Sequence, residues 1–114
     1  MRVFVSGPYG DHNPPEIIER NVMAADRVSR ELMVQEHEVY CPHKMSWGWE
    51  RDARITRRQY LELDMSFLLH WAEAFVRIPG RSPGADAETA MAKDLGLLEL
   101  PCPECWRAEL IGSG

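Results

Sequence analysis

Short apolar runs alternate with longer stretches of helical periodicity along this chain, and that alternation leaves few architectures open. Val3-Phe4-Val5 is a continuous β-rich run stopped by Ser6-Gly7-Pro8-Tyr9-Gly10. A run of this kind, bounded by turn residues, fits a strand buried on both faces. After the loop Asp11-His12-Asn13-Pro14-Pro15, Pro15 is placed for the first turn of a helix. Ile18, Val22, Ala25, Val28 and Leu32 then recur at spacings of three and four, the pattern of an amphipathic helix covering a sheet face. Glu38-Val39-Tyr40 reads as a second strand, ended by Cys41-Pro42-His43, and Met45 to Trp49 reads as irregular and aromatic. A second helix is predicted from about Asp52 to His70, with Tyr60, Leu63 and Phe67 on one face, and Ala74 to Ile78 as a third strand. The breaker-rich loop Pro79 to Gly84 leads to a third helix from about Asp86 to Leu95, closed by Gly96, and Leu97 to Leu100 reads as a short fourth strand. The order β-α-β-α-β-α-β predicts an α/β fold with a mostly parallel sheet and helices on both faces. Its 114 residues suffice for one domain with a real core, assigned to residues 1–100, with residues 101–114 as a tail.

Composition narrows the function classes. Thirteen Lys and Arg against 18 Asp and Glu give a net charge of −5, which argues against a mainly electrostatic nucleic-acid binder. No apolar run approaches the roughly 20 residues of a membrane span. Met1 runs straight into Arg2-Val3-Phe4-Val5 without a signal-peptide pattern, so a cytoplasmic location is the expectation. Three cysteines do not make a disulfide framework.

In open parallel sheets, ligands bind beyond the carboxyl ends of the strands at the switch point of strand order. If the first and third strands are neighbours, Ser6-Gly7-Pro8-Tyr9-Gly10 and the Pro79-to-Gly84 loop line one crevice. Within Ser82-Pro83-Gly84-Ala85-Asp86-Ala87-Glu88, a glycine before a helix opens the backbone N–H groups to an anion, and Ser82 adds a hydroxyl. The same stretch also reads as a plain start of a helix, where acidic residues suit the first turn. Asp64 lies near the middle of the second helix and is four residues from Tyr60, so the two share a face. It is either a solvated helix position or, if that face looks into the crevice, a second carboxylate able to meet Glu88. Two carboxyl groups flanking a glycosidic bond at about 5 Å form a retaining arrangement in which one is the nucleophile.

These residues carry a resemblance. Phe4-Val5-Ser6-Gly7-Pro8-Tyr9, Asn21, Tyr40-Cys41-Pro42-His43, Asp64, the block Ser82 to Glu88, Ala92 and Gly96 together resemble the nucleoside 2-deoxyribosyltransferase superfamily. That superfamily includes the 2′-deoxynucleoside 5′-phosphate N-hydrolases and small phage and bacterial relatives. The similarity covers roughly residues 1 to 97, and the Ser82-to-Glu88 block is similar to the family's Ser-x-Gly-x-x-x-Glu signature. The resemblance implies a Rossmann-like (flavodoxin-like) three-layer sandwich with a sheet of four to five strands. It implies that Glu88 is the nucleophile on the anomeric carbon and that Asp64 orients the sugar or nucleophile and helps proton transfer to the leaving base. It implies that Ser82 and Gly84 bind a 5′-phosphate where the substrate carries one, that Ser6, Gly7 and Tyr9 line the sugar and base pocket, and that the protein is a homo-oligomer needing no cofactor. Ala72-Glu73 stands where the family often has Ala-Asp, a position that is mainly structural, and the Trp47-Gly48-Trp49 stretch does not map onto the family pattern.

Other residues keep two readings. His43 is either a polar contact or proton donor in the crevice, or a structural histidine bonding nearby backbone. Trp47 and Trp49 either stack on a base or anchor a loop or subunit contact. Asn21 orients loop residues or is an ordinary mid-helix Asn. Cys102-Pro103-Glu104-Cys105 is half of a zinc site or, with no second pair at ligand spacing, two reduced thiols in a tail. Arg51, Arg54, Arg57 and Arg58 form a solvated face or attract an anionic substrate. Three classes follow: an N-glycosidase or deoxyribosyltransferase acting on a nucleoside or nucleoside 5′-monophosphate, a non-catalytic nucleotide-binding or sensing module of the same fold, and an interaction scaffold. The presence of both Glu88 and Asp64 favours the enzyme.

Overall fold

A computed structural model describes residues 1–10 and 13–108. Asp11 and His12 of the first loop, and residues 109–114 of the predicted tail, lie outside the described residues. The elements are β1 (Arg2–Ser6), α1 (Pro15–Val34), β2 (Glu38–Tyr40), α2 (Pro42–Ser46), α3 (Arg57–His70), β3 (Ala74–Arg77), α4 (Pro83–Asp94) and β4 (Leu98–Glu99). Single 3-10 turns occur at Trp49–Arg51 and Glu104–Trp106.

The sheet is four-stranded, with order β2-β1-β3-β4, and all neighbours are parallel. Its layering follows from connection handedness. A right-handed β1-to-β2 crossover places its helix on one face, and the β2-to-β3 and β3-to-β4 crossovers, stepping the other way, place theirs on the opposite face. The packing agrees. Ala25, Val28 and Leu32 of α1 pack with Val3, Val5, Val76 and Ile78, whereas Leu68 of α3 and Ala92 of α4 pack with Phe4 and Phe75. The result is a Rossmann-like three-layer α/β fold, as expected.

All five periodic residues of α1 are buried, and Pro15 occupies its first turn. The second predicted helix is shorter than expected. It starts at Arg57 because Thr56 and Gln59 form a reciprocal capping box, Thr56 Oγ1 accepting from the Gln59 N–H and Gln59 Oε1 from the Thr56 N–H. Asp52 instead turns the chain ahead of it by accepting from the Arg54 backbone and guanidinium. Its buried positions are Asp64 and Leu68, while Tyr60, Leu63 and Phe67 are half-buried. Of the stretch Met45 to Trp49, expected to be irregular, Met45 and Ser46 end α2, which starts at Pro42, and Trp49 opens a 3-10 turn, leaving Trp47 and Gly48 between them. The third predicted helix begins earlier, at Pro83, with Ser82 as its N-cap. Gly96 follows it with φ +76°, the left-handed residue that ends the helix. Within the described part of the predicted tail, Cys102, Cys105 and Trp106 pack against the α1-side core. Thr56→Ala is expected to lower unfolding free energy by about 1 kcal/mol, read from the urea midpoint, with Thr56→Ser close to wild type.

Candidate functional site

Strand order reverses between β1 and β3, the position beyond whose strand carboxyl ends parallel α/β sheets bind ligands. Two glycines let the loops after these strands meet. A Cβ on Gly7 would stand 2.9 Å from Ile78 Cβ, and Gly80, at φ +132°, has its Cβ position 2.7 Å from Pro8 Cγ. Gly7 is thus a close-packing residue whose missing side chain faces Ile78.

Ser6 ends β1 on the α3/α4 side, two residues after Phe4. Its hydroxyl is buried and lies 2.7 Å from Glu88 Oε1 of α4 and 3.5 Å from the Ala85 carbonyl. A hydroxyl has one proton, and the shorter, charge-assisted bond takes it, so Ser6 donates to Glu88. Burial pushes the Glu88 carboxyl above its usual range; the Ser6 bond opposes that, the Asp64 charge adds to it, and the His43 and Arg77 charges lower it. Arg77 also holds the loop before α4, donating to the Gly80 carbonyl and to Asp86 Oδ1, each at 2.9 Å.

Asp64 is only 6 % exposed, so its helix face does look inward. The Tyr40 hydroxyl at the end of β2 donates to Asp64 Oδ1 at 3.0 Å. Burial drives Asp64 up to about 6, against the lowering effects of the Tyr40 bond and the His43 charge. The Tyr40 phenol is itself raised, chiefly by burial and then by the Asp64 charge, so it remains a donor. Asp64 and Glu88, from two helices, therefore share one electrostatic environment.

That environment makes a stability prediction. Folding raises the Asp64 carboxyl from 3.8 to about 6, so the folded state holds its proton more tightly than the unfolded state. The group favours folding most below the unfolded value, and this contribution disappears as pH rises through about 6. Asp64→Asn, whose amide oxygen still accepts from Tyr40, is expected to raise Tm at pH 8 relative to wild type and to leave it nearly unchanged at pH 4. Scanning calorimetry at the two pH values measures it. A residue that weakens the fold at neutral pH fits a site selected for chemistry rather than packing.

The remaining predicted residues divide. His43 is buried, and Nε2 lies 2.7 Å from the Pro8 carbonyl. Burial lowers its pKa. When the ring is neutral its proton sits on Nε2, because a carbonyl only accepts, and Nδ1 then faces Cys41 Sγ at 3.9 Å as an acceptor. His43 thus anchors the β1 loop. Tyr9 is half-buried; its hydroxyl meets both Glu50 oxygens at 3.0 and 3.1 Å and accepts from the Gly48 N–H, and burial pushes it up to about 12. Asn21 donates to the Tyr9 carbonyl at 3.0 Å, the loop-orienting reading. Tyr9 therefore ties the Trp47-Gly48-Trp49 loop to the β1 loop.

Ser82 Oγ accepts from the Ala85 N–H as a helix N-cap. The space where a Gly84 side chain would project is open, so the first turn of α4 remains approachable. Glu50, Tyr40 and Arg77 were not among the predicted site residues. Glu50 is 41 positions from Tyr9 and Tyr40 is 24 from Asp64, distances across which no local pattern links them. Burial pushes the Cys102 thiol up to about 11 and raises Cys105, so both remain thiols at neutral pH. Among the described residues, no group of three His, Cys, Asp or Glu side chains is arranged to hold a metal ion. No helix among the described residues is long and apolar enough to cross a membrane. Compared with known proteins, the chain matches no family model and no curated protein sequence.

Proposed function

We propose that this chain is an N-glycosidase or deoxyribosyltransferase that cleaves the bond between base and sugar of a nucleoside or nucleoside 5′-monophosphate. The observation that carries the reading is the pairing of two inward-facing carboxyls at the β1/β3 switch point, Glu88 held by Ser6 and Asp64 held by Tyr40. Two carboxyls with separate partners suit the two roles of a retaining mechanism. The resemblance of the Ser82-to-Glu88 block supports the same substrate class.

The ionised Glu88 carboxylate attacks C1′ and forms a glycosyl ester, while the C1′–N bond breaks and its electron pair leaves with the base. Ser6 donates to Oε1 and leaves Oε2 for attack. Protonated Asp64 supplies a proton to the departing nitrogen; Tyr40 occupies Oδ1, so that proton sits on Oδ2. Water then cleaves the ester to give free sugar, or a second base accepts the sugar. The N-terminal turn of α4 receives the 5′-phosphate through the Gly84 N–H, since Pro83 has none and the Ala85 and Asp86 N–H groups are bonded to Ser82. The protein works as a homo-oligomer in this reading, and light scattering measures that state.

Chromatography of products from ribo- and deoxyribonucleosides and their 5′-monophosphates tests the reading. Free base is expected from at least one substrate, and a second base in the mixture separates transfer from hydrolysis. No base from any of them would leave the nucleotide-binding module as the better account. The pH profile of kcat/KM is expected to be bell-shaped. Activity rises as Glu88 ionises and falls above about 6 as Asp64 loses its proton. In Asp64→Asn the alkaline limb disappears along with most of the rate.

A further inference from the structure

A cleft of about 360 Å³ opens on the α1 side of the sheet, between α1, the loop after β3 and the C-terminal 3-10 turn. Its walls include Pro8, Ile17, Ile78 and Trp106, and two arginines, Arg20 of α1 and Arg81 of the loop, stand on it. It is separate from the carboxyl pair. Glu88 and Ser6 belong to the α3/α4 side, and the seam where Gly7 and Gly80 bring the β1 and β3 loops together lies between them. Neither Arg20 nor Arg81 forms a hydrogen bond or ion pair with a described residue, whereas the neighbouring Arg77 is committed to the Ile78 and Gly80 carbonyls and to Asp86 of α4.

Two guanidinium groups with no partner among the described residues, on a chain of net charge −5, make a local exception to its overall repulsion of anions. Guanidinium forks match phosphate oxygens in pairs. Trp106 packs against the α1-side core, and the Arg107 guanidinium carbon lies 4.9 Å from its ring centroid. An apolar cleft with a fixed indole wall and cationic groups on its rim suits a small molecule with a flat apolar body and a terminal phosphate. The volume is of the size such a molecule needs.

We propose that this cleft is a second binding site, distinct from the carboxyl pair, for a mononucleotide-sized aryl or nucleoside monophosphate, with its phosphate between Arg20 and Arg81 and its ring against Trp106. The site is independent of whether the carboxyl pair cleaves the molecule.

The test is calorimetric titration of the full chain with adenosine 5′-monophosphate, adenosine and inorganic phosphate, paired with nuclear magnetic resonance of the indole N–H groups. The Trp106 signal is assigned with Trp106→Phe. The expected result is saturable binding of the monophosphate, at least tenfold tighter than of adenosine or phosphate alone, that shifts the Trp106 signal. Arg20→Gln/Arg81→Gln weakens it at least tenfold, and Glu88→Gln leaves both affinity and the Trp106 shift in place. Circular dichroism confirms that the exposed double substitution retains the fold. Absence of binding, binding unaffected by the double substitution, or binding lost in Glu88→Gln with no Trp106 shift would each overturn the proposal. Base release is measured separately, so failure of the cleft and failure of the glycosidase reading give different results.

Discussion

Glu88→Gln is expected to reduce base release by about a thousandfold or more while leaving the fold intact. The amide has nearly the same shape, and its oxygen still accepts from the Ser6 hydroxyl now 2.7 Å from Oε1. What disappears is the negative charge that, in the proposed mechanism, attacks C1′ and balances the developing oxocarbenium ion. Ser6→Ala is the informative companion. It removes a bond that favours the ionised form of Glu88, so the acid limb of the pH profile moves upward. Its rate loss is smaller, about ten- to a hundredfold, the usual worth of one hydrogen bond to a charged group. A residue that served only packing would move stability and leave that limb in place. Steady-state kinetics of both variants, with urea denaturation as the control for folding, decide the matter.

The largest effect on stability is expected at Phe75. This ring is 1 % exposed at the centre of the sheet, in β3, and packs on the α3/α4 side with Phe4, Tyr40, Leu68 and Ala92. Phe75→Ala removes the ring and leaves a cavity walled by a sheet and two helices that cannot readily collapse, a loss of about 3–5 kcal/mol. Against a total of about 5–15 kcal/mol for a domain of this size, that consumes a large share of the stability. Leu98→Ala in β4 is the control, because Leu98 is 53 % exposed, and its loss is expected to be under about 1 kcal/mol. Urea midpoints of the two variants measure the difference. Equal midpoints would show that the packing of this layer is not as described.

The layering was largely legible in the residues because it depends on local periodicity. Each of the five α1 positions spaced by three and four is buried, and the short apolar run of β1 occupies an inner strand with a neighbour on each side. Errors fell where a boundary depends on side chains rather than on apolar spacing. The Thr56 and Gln59 capping box starts α3 five residues after Asp52, and Pro83 behind Ser82 starts α4 before Asp86. A helix as short as α2 leaves too few residues for a period to register. At the site, the inward turn of Asp64 was one of two open readings, since a single carboxylate in a helix has no periodic signature. Tyr40, the residue that settles its orientation, lies on another element. The bonds of Tyr9 to Glu50 and of His43 to the Pro8 carbonyl likewise join segments 41 and 35 positions apart, and only the fold brings them together. Ser82 was readable both as a phosphate ligand and as a cap; its bond to the Ala85 N–H makes it a cap, and the open space at Gly84 keeps the same turn accessible to an anion.

Glu88 is proposed to form a covalent bond to the sugar, and that bond can be trapped. A 2′-fluoro substituent withdraws electrons from C1′ and slows breakdown of a glycosyl ester. Incubation with 2′-fluoro analogues of the nucleosides and 5′-monophosphates that release base, followed by intact-mass and peptide mass spectrometry, reads the result. A gain of one sugar or sugar phosphate is expected on the peptide containing Glu88, and no gain in Glu88→Gln. Base release with the adduct on a different residue, or with no adduct on the protein and undiminished turnover in Glu88→Gln, would contradict it.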